Sequence, residues 1–184
     1  MNRPLRGTVL RLGDRVPRIH PTAWVAPGAL VAGDVELGED VSVWPGCVLR
    51  GDYGAIRVGA RTNIQDGTVI HSTEELPTVL GADVVVGHGA RLEGCTVADA
   101  ALVGMGSILL HRVEVGSGAI VAAGAVVSPG TVVPPGAMAR GVPARITEAT
   151  PEVAEERRVI HVLTSAHYAE NARMWQREAT PADD

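Results

Sequence analysis

Phenylalanine is absent from this chain, and aromatic residues of every kind make up only 3% of its 184 residues. Large aromatics usually dominate a globular core. A chain that is 46% hydrophobic without them must fill its interior with Val, Leu, Ile and Ala, which suits a narrow one. Cysteine is scarce too. Cys47 and Cys95 are the two present; they offer no disulfide framework and fit structural thiols in a reducing compartment. Positive charge is not in excess: 16 basic residues stand against 21 acidic ones, a formal net charge of -5, which argues against nucleic acid as a partner. No apolar run is long enough to span a bilayer, and the N-terminus lacks the apolar region of a signal peptide. The expectation is a single soluble domain without a membrane partner, located in the cytoplasm.

What is present is a repeat. An aliphatic residue returns every sixth position: Val25, Val31, Leu37, Val43 and Leu49; after three extra residues Val58, Ile64 and Ile70; after four more Leu80, Val86 and Leu92; then, with one residue dropped, Val97, Val103, Leu109, Val115, Val121, Val127, Val133 and Ala139. The fifth place of each repeat is mostly small or β-branched, as at Ala29, Cys47, Thr62, Thr68, Ala90, Ser107 and Ala125. Chance does not sustain that pattern over such a length. Repeats of this period predict a β-helix in which each repeat is one short strand and its corner. The leading residue faces inward and its neighbours outward. The pattern resembles the hexapeptide-repeat β-helix proteins. That resemblance, not the spacing, implies three repeats per triangular coil and a left-handed winding, against the general preference for right-handed crossovers.

On that frame the polar residues fall into register. Arg50, His71 and Glu93 each follow a leading residue, three repeats plus one insert apart, so they stack on one face of successive coils. Gln65 holds the same place on the preceding face. His88 is a third-place residue nearer a corner. His111 is also third-place, one coil beyond Glu93, and reads as a lone surface histidine. Two histidines and a carboxylate make a metal-ligand set in principle.

The run RGD…NIQD…VIH…VGHGA.L.GC, followed by VGMGS, resembles the γ-class carbonic anhydrases and their relatives over nearly the whole chain, from Pro17 through the C-terminal segment. The resemblance implies a homotrimer with zinc, or iron, at each subunit interface, bound by histidines from two subunits, and hydration of CO2 to bicarbonate by a metal-bound hydroxide. On this sequence it implies His71 as one ligand and His88 as the one lent by the neighbouring subunit. It implies Gln65 as the residue that orients the hydroxide, and Arg50 with Asp52 as a pair at the subunit boundary. The third histidine of the family motif is Glu93 here. Tyr53 follows Asp52 where some members carry a Glu, and the insert after His71, STEELP, is short, with Glu74 a weak stand-in for the acidic residue of other members.

Two histidines plus a glutamate is an accepted catalytic zinc set, so Glu93 is consistent with a metal. It also changes the metal: an anionic ligand makes zinc a weaker Lewis acid, which raises the pKa of bound water, and a carboxylate favours harder ions such as Mg2+ or Mn2+. The reading is a γ-carbonic-anhydrase-like site with weak or altered activity. Other classes of the same fold stay open: a non-catalytic protein that binds metal or an iron siderophore, as relatives labelled ferripyochelin-binding suggest; a structural subunit; and, against the short loops of this chain, a hexapeptide acyltransferase.

Along the chain, residues 1–20 read as a cap over the open first coil, with GTVLRLG a short strand. Residues 21–146 form the β-helix. Trp24 and Trp44 point outward, toward a second subunit or under a helix. Thr150, Pro151 and Glu152 carry the signature of a helix start. The helix runs over 150–178 along the solenoid, with Val153, Ile160, Leu163, Ala166, Ala169, Ala172 and Met174 or Trp175 recurring near helical spacing. Residues 179–184 form a disordered tail.

Overall fold

In a computed structural model, which describes residues 6–180, the repeat winds into a left-handed parallel β-solenoid of about 7 turns with one C-terminal helix. Of the expected tail at 179–184, residues 181–184 lie outside the described part, as do the first five residues. Every leading residue from Val25 to Ala139 is buried. The fifth-place residues named above, from Ala29 to Ala125, are all buried as well. The interior is therefore a stack of small aliphatic side chains, and the missing aromatics are explained by its width.

Three faces follow from the strand ladder. The first runs from the first half of Leu30–Leu37 and of Val48–Val58 through Val69–His71, Arg91–Glu93, Ile108–Leu109 and Val126–Val127. The second takes the later halves of those two long strands and continues through Thr78–Leu80, Thr96–Val97, Glu114–Val115 and Val132–Val133. The third stacks Trp24–Val25, Ser42–Val43, Asn63–Ile64, Val85–Val86, Leu102–Val103, Ile120–Val121 and Met138–Arg140. All these neighbours are parallel. The ladder ends where Arg145–Thr147 turns back antiparallel on Met138–Arg140. At the other end Thr8–Leu10 and Arg18–Ile19 pair in parallel with Leu30–Leu37, so the N-terminal segment supplies strand rather than only cover.

The two inserts shape the first face. In Val48–Val58 the register passes from Gly33↔Gly51 directly to Val35↔Ile56, leaving Asp52–Ala55 opposite Asp34 alone. This bulge lifts Asp52 out of the ladder. Gly33 makes it possible: its φ is +83°, and a Cβ there would lie 2.1 Å from the Gly51 carbonyl oxygen. The second insert, after His71, is pinned by buried Thr78, whose hydroxyl donates to the His71 carbonyl (2.5 Å) and accepts from the Gly94 N–H (2.8 Å).

The helix spans Pro151–Glu178, capped by the Thr150 hydroxyl, which accepts from the Val153 N–H. At about 1.5 Å per residue it is about 42 Å long, enough to run the length of seven coils about 4.8 Å apart. It lies along the third face, travelling from the last coils toward the first: His161 bonds to the Ala100 carbonyl, Ser165 donates to Asp83, and Arg173 pairs with Asp40. Its inward residues differ from the expected set. His161, Ser165, Ala169 and Ala172 are buried, whereas Val153, Ile160, Leu163, Met174 and Trp175 are exposed. Small side chains bring the helix backbone close to the strands, and Ala154 sits where Gly136 leaves room. Of the two readings for the outward tryptophans, cover by the helix is the one observed. Trp24 and Trp44 pack edge to face at 5.1 Å, with Trp175 and Tyr168 of the helix against them.

Candidate functional site

Arg50, His71 and Glu93 are direct ladder neighbours, Arg50↔His71 and His71↔Glu93, so their side chains emerge from one face on three successive coils. The Nδ1 of His71 lies within hydrogen-bond distance of Glu93 Oε1 (2.7 Å), and its Nε2 within hydrogen-bond distance of Asp52 Oδ1 (2.9 Å). Arg50 closes the far side of Asp52 as an ion pair, and the Tyr53 N–H also donates to Asp52 (3.1 Å). Burial pushes the Asp52 carboxyl up, but the bonds from His71 and Arg50 outweigh it and hold it below its ordinary value. Glu93 is held low first by its bond from His71, with the His71 and His111 charges adding to it against burial.

His111 is not the lone surface histidine the spacing suggests. Its Nε2 lies 3.5 Å from Glu93 Oε2. A chain of Arg50, Asp52, His71, Glu93 and His111 therefore runs up the end of the first face, and Arg50, Val69, His71, Arg91 and Glu93 line a shallow groove beside it. Sequence spacing had one signal for His111, its place one coil past Glu93 on the same face. Asp52 reaches His71 only because of the bulge.

The other sequence-derived residues gather elsewhere. His88 stands at the corner that precedes the first face, exposed, with its Nδ1 donating to Asp66 Oδ2 (3.0 Å). Gln65, 5% exposed, lies beside that corner under the helix and donates to Asn63 Oδ1 (3.1 Å). Tyr168 of the helix lies beside Gln65; burial and the nearby Asp66 charge push its hydroxyl up, against the influence of Gln65. That contact joins helix to strand at long range, and spacing alone assigns Tyr168 no role.

His88 and Glu93 thus bracket the same strand, five residues apart, up to about 16 Å of extended chain at about 3.3 Å per residue. No three His, Cys, Asp or Glu side chains among the described residues gather closely enough to hold a metal within one chain. The donor chemistry nevertheless fits a metal in two halves. His71 and Glu93 offer a nitrogen and an oxygen side by side at one end of the face. At the other end, a carboxylate on Nδ1 of His88 leaves Nε2 free and outward, the arrangement that orients metal-binding imidazoles.

Comparison with known proteins agrees with this frame. The family model "Bacterial transferase hexapeptide (six repeats)" matches residues 17–51. The chain is 41% identical over 177 residues to "Gamma carbonic anhydrase 1, mitochondrial" of Arabidopsis thaliana, covering 90% of this chain and 64% of that protein. It is 39% identical over 137 residues to "Carnitine operon protein CaiE" of Escherichia coli O157:H7, covering 74% and 70%. The chain spans less than two thirds of the length of the plant protein it matches. Among solved structures, a hexapeptide transferase family protein from Anaplasma phagocytophilum aligns at 35% identity with a TM-score of 0.85, covering 91% of this chain and 98% of that one.

Proposed function

The chain belongs to the γ-carbonic-anhydrase-like family of hexapeptide-repeat proteins, and from that premise we propose that it holds a catalytic metal between the subunits of a homotrimer and hydrates CO2 weakly or in an altered manner. The observation that carries this reading is the placement of two complementary half-sites at opposite ends of one face. His71 and Glu93 form one half; His88, oriented by Asp66, forms the other. One chain cannot bring the halves together, but a cyclic head-to-tail interface joins unlike patches of neighbouring copies.

His71 and Glu93 of one subunit and His88 of the next would hold the ion, zinc first, with Fe2+, Mg2+ or Mn2+ open to a site that includes a carboxylate. When bound, the metal supplies a Lewis acid that makes a water a nucleophile near neutral pH. The chain's own groups do the rest. Asp52 must release His71 Nε2, or Glu93 must release Nδ1, for the imidazole to ligate, and Arg50 holds Asp52 ready on the far side. Gln65, hydrogen-bonded to Asn63, would present an amide beside the corner from which His88 projects and orient the attacking group there. Glu93 makes the metal a weaker acid than a third imidazole would, hence the weak or altered activity. Two free, buried cysteines fit a reducing compartment such as the cytoplasm. None of the described residues forms a helix long and apolar enough to cross a membrane.

The test is metal content of protein purified without added metal, paired with CO2 hydration, for the native chain and Glu93→His. Bound metal, with hydration rising in the variant, supports the reading. Metal absent and no hydration in either protein overturns it. Titrations with acetyl-coenzyme A and with an iron siderophore then decide between the acyltransferase and binding-protein readings.

A further inference from the structure

We propose that His111 is a positioning residue for Glu93, fixing which carboxylate oxygen the glutamate offers to the metal. This rests on the reading above that Glu93 ligates.

A histidine ligand presents one nitrogen in one direction. A glutamate presents two oxygens and one more rotatable bond, so a glutamate in a histidine's place needs an outer partner to fix it. Glu93 has two neighbours of that kind on its own chain. Oε1 is taken by His71 Nδ1 at 2.7 Å. Oε2 faces His111 Nε2 at 3.5 Å, longer than an ordinary hydrogen bond, and that Nε2 is buried with no hydrogen-bond partner. An orphaned ring nitrogen aimed at the one free carboxylate oxygen is a bond waiting for a small adjustment of Glu93.

The ring is also seated rather than loose. Gly94 follows Glu93 with φ at +60°, and a Cβ there would lie 3.2 Å from His111 Cδ2 and 2.9 Å from the Cβ of Leu76 in the short insert. The absent side chain of Gly94 makes room for the imidazole, and Leu76 borders the same space. Gly94 in turn is tied to Thr78 by its N–H. Glycine, insert and histidine together build a support on the side of Glu93 away from His71. With His71 on one oxygen and His111 on the other, the carboxylate has a single way to turn.

The experiment is a chelator-competition titration of Co2+ and Zn2+ on the intact oligomer, with the Co2+ visible spectrum as a second readout. The proteins are the native chain, His111→Ala, His111→Gln, Glu93→His and the double variant Glu93→His with His111→Ala. The expected result is a loss of metal affinity of about 10- to 100-fold in His111→Ala, with an altered Co2+ spectrum, and recovery in His111→Gln, whose amide can reach the same place. In the Glu93→His background, His111→Ala should cost nothing, since no carboxylate remains to be oriented. Thermal midpoints of the metal-free proteins separate this from a folding defect. Unchanged affinity in His111→Ala, or an equal loss in both backgrounds, overturns the proposal while leaving the metal site standing. A native chain that binds neither ion overturns both.

Discussion

Glu93 stands one coil above His71, their backbones paired and their side chains 2.7 Å apart. Parallel stacking makes this contact unavoidable: in an in-register ladder, neighbours across the strands point the same way and sit within side-chain reach. Substituting Glu93 by Ala should therefore free His71 Nδ1 and leave the ring held by Asp52 alone. The expected outcome is loss of metal binding without loss of fold, measured by metal content beside the thermal midpoint. A large fall in the midpoint would mean that the pair is structural.

The corner glycine under the bulge gives a second prediction. Gly33→Ala places a Cβ 2.1 Å from a backbone oxygen at a left-handed φ. Neither strand can move without breaking the ladder, so the cost should exceed about 3 kcal/mol. Denaturant unfolding of the variant measures it. Because the same bulge carries Asp52 to His71, surviving protein should also show weakened metal binding.

His161 sets a pH dependence. It is buried under the helix, with its Nδ1 on the Ala100 carbonyl, and burial, with Arg157 adding, pushes its pKa below the ordinary 6.5. The neutral ring is therefore the one the native state prefers. The unfolded chain binds a proton that the folded chain refuses, so stability rises with pH through this range. It is complete above 6.5 and is lost as pH falls from 6.5 through the lower folded value. Thermal midpoints measured from pH 7.5 to 5 should fall, and His161→Gln should flatten the slope.

The helix is clamped a second time where Ser165 donates to Asp83 (3.0 Å), which also receives both arms of Arg61 (2.8 and 2.7 Å). Ser165→Ala removes one bond and should cost about 1 kcal/mol. Asp83→Asn breaks the charge pair as well and should cost more. Hydrogen exchange along Pro151–Glu178 would show whether the loss is local undocking of the helix.

The residues that sequence reasoning placed well are those governed by period. Inward positions follow from a six-residue count, and the stacking of Arg50, His71 and Glu93 follows once the two inserts are counted. The helix start follows from Thr150 and Pro151. What escaped depends on contacts without a period. The helix buries His161, Ser165, Ala169 and Ala172 and leaves Ile160 and Leu163 exposed, because close approach to a sheet rewards small residues over apolar ones. His111 reaches Glu93 through a left-handed glycine, and Asp52 reaches His71 through a bulge; neither conformation is visible in spacing.

The most direct measurement of whether the site is shared between subunits is subunit complementation. His71→Ala and His88→Ala each remove one half, and each variant alone should bind no metal. Unfolded together and refolded at equal amounts, they should recover about a quarter of the native sites, the chance that a given interface joins the two intact halves. Recovery near that level is the predicted result. No recovery from well-folded mixed oligomers, or metal bound stoichiometrically by His88→Ala alone, would contradict a site built between subunits.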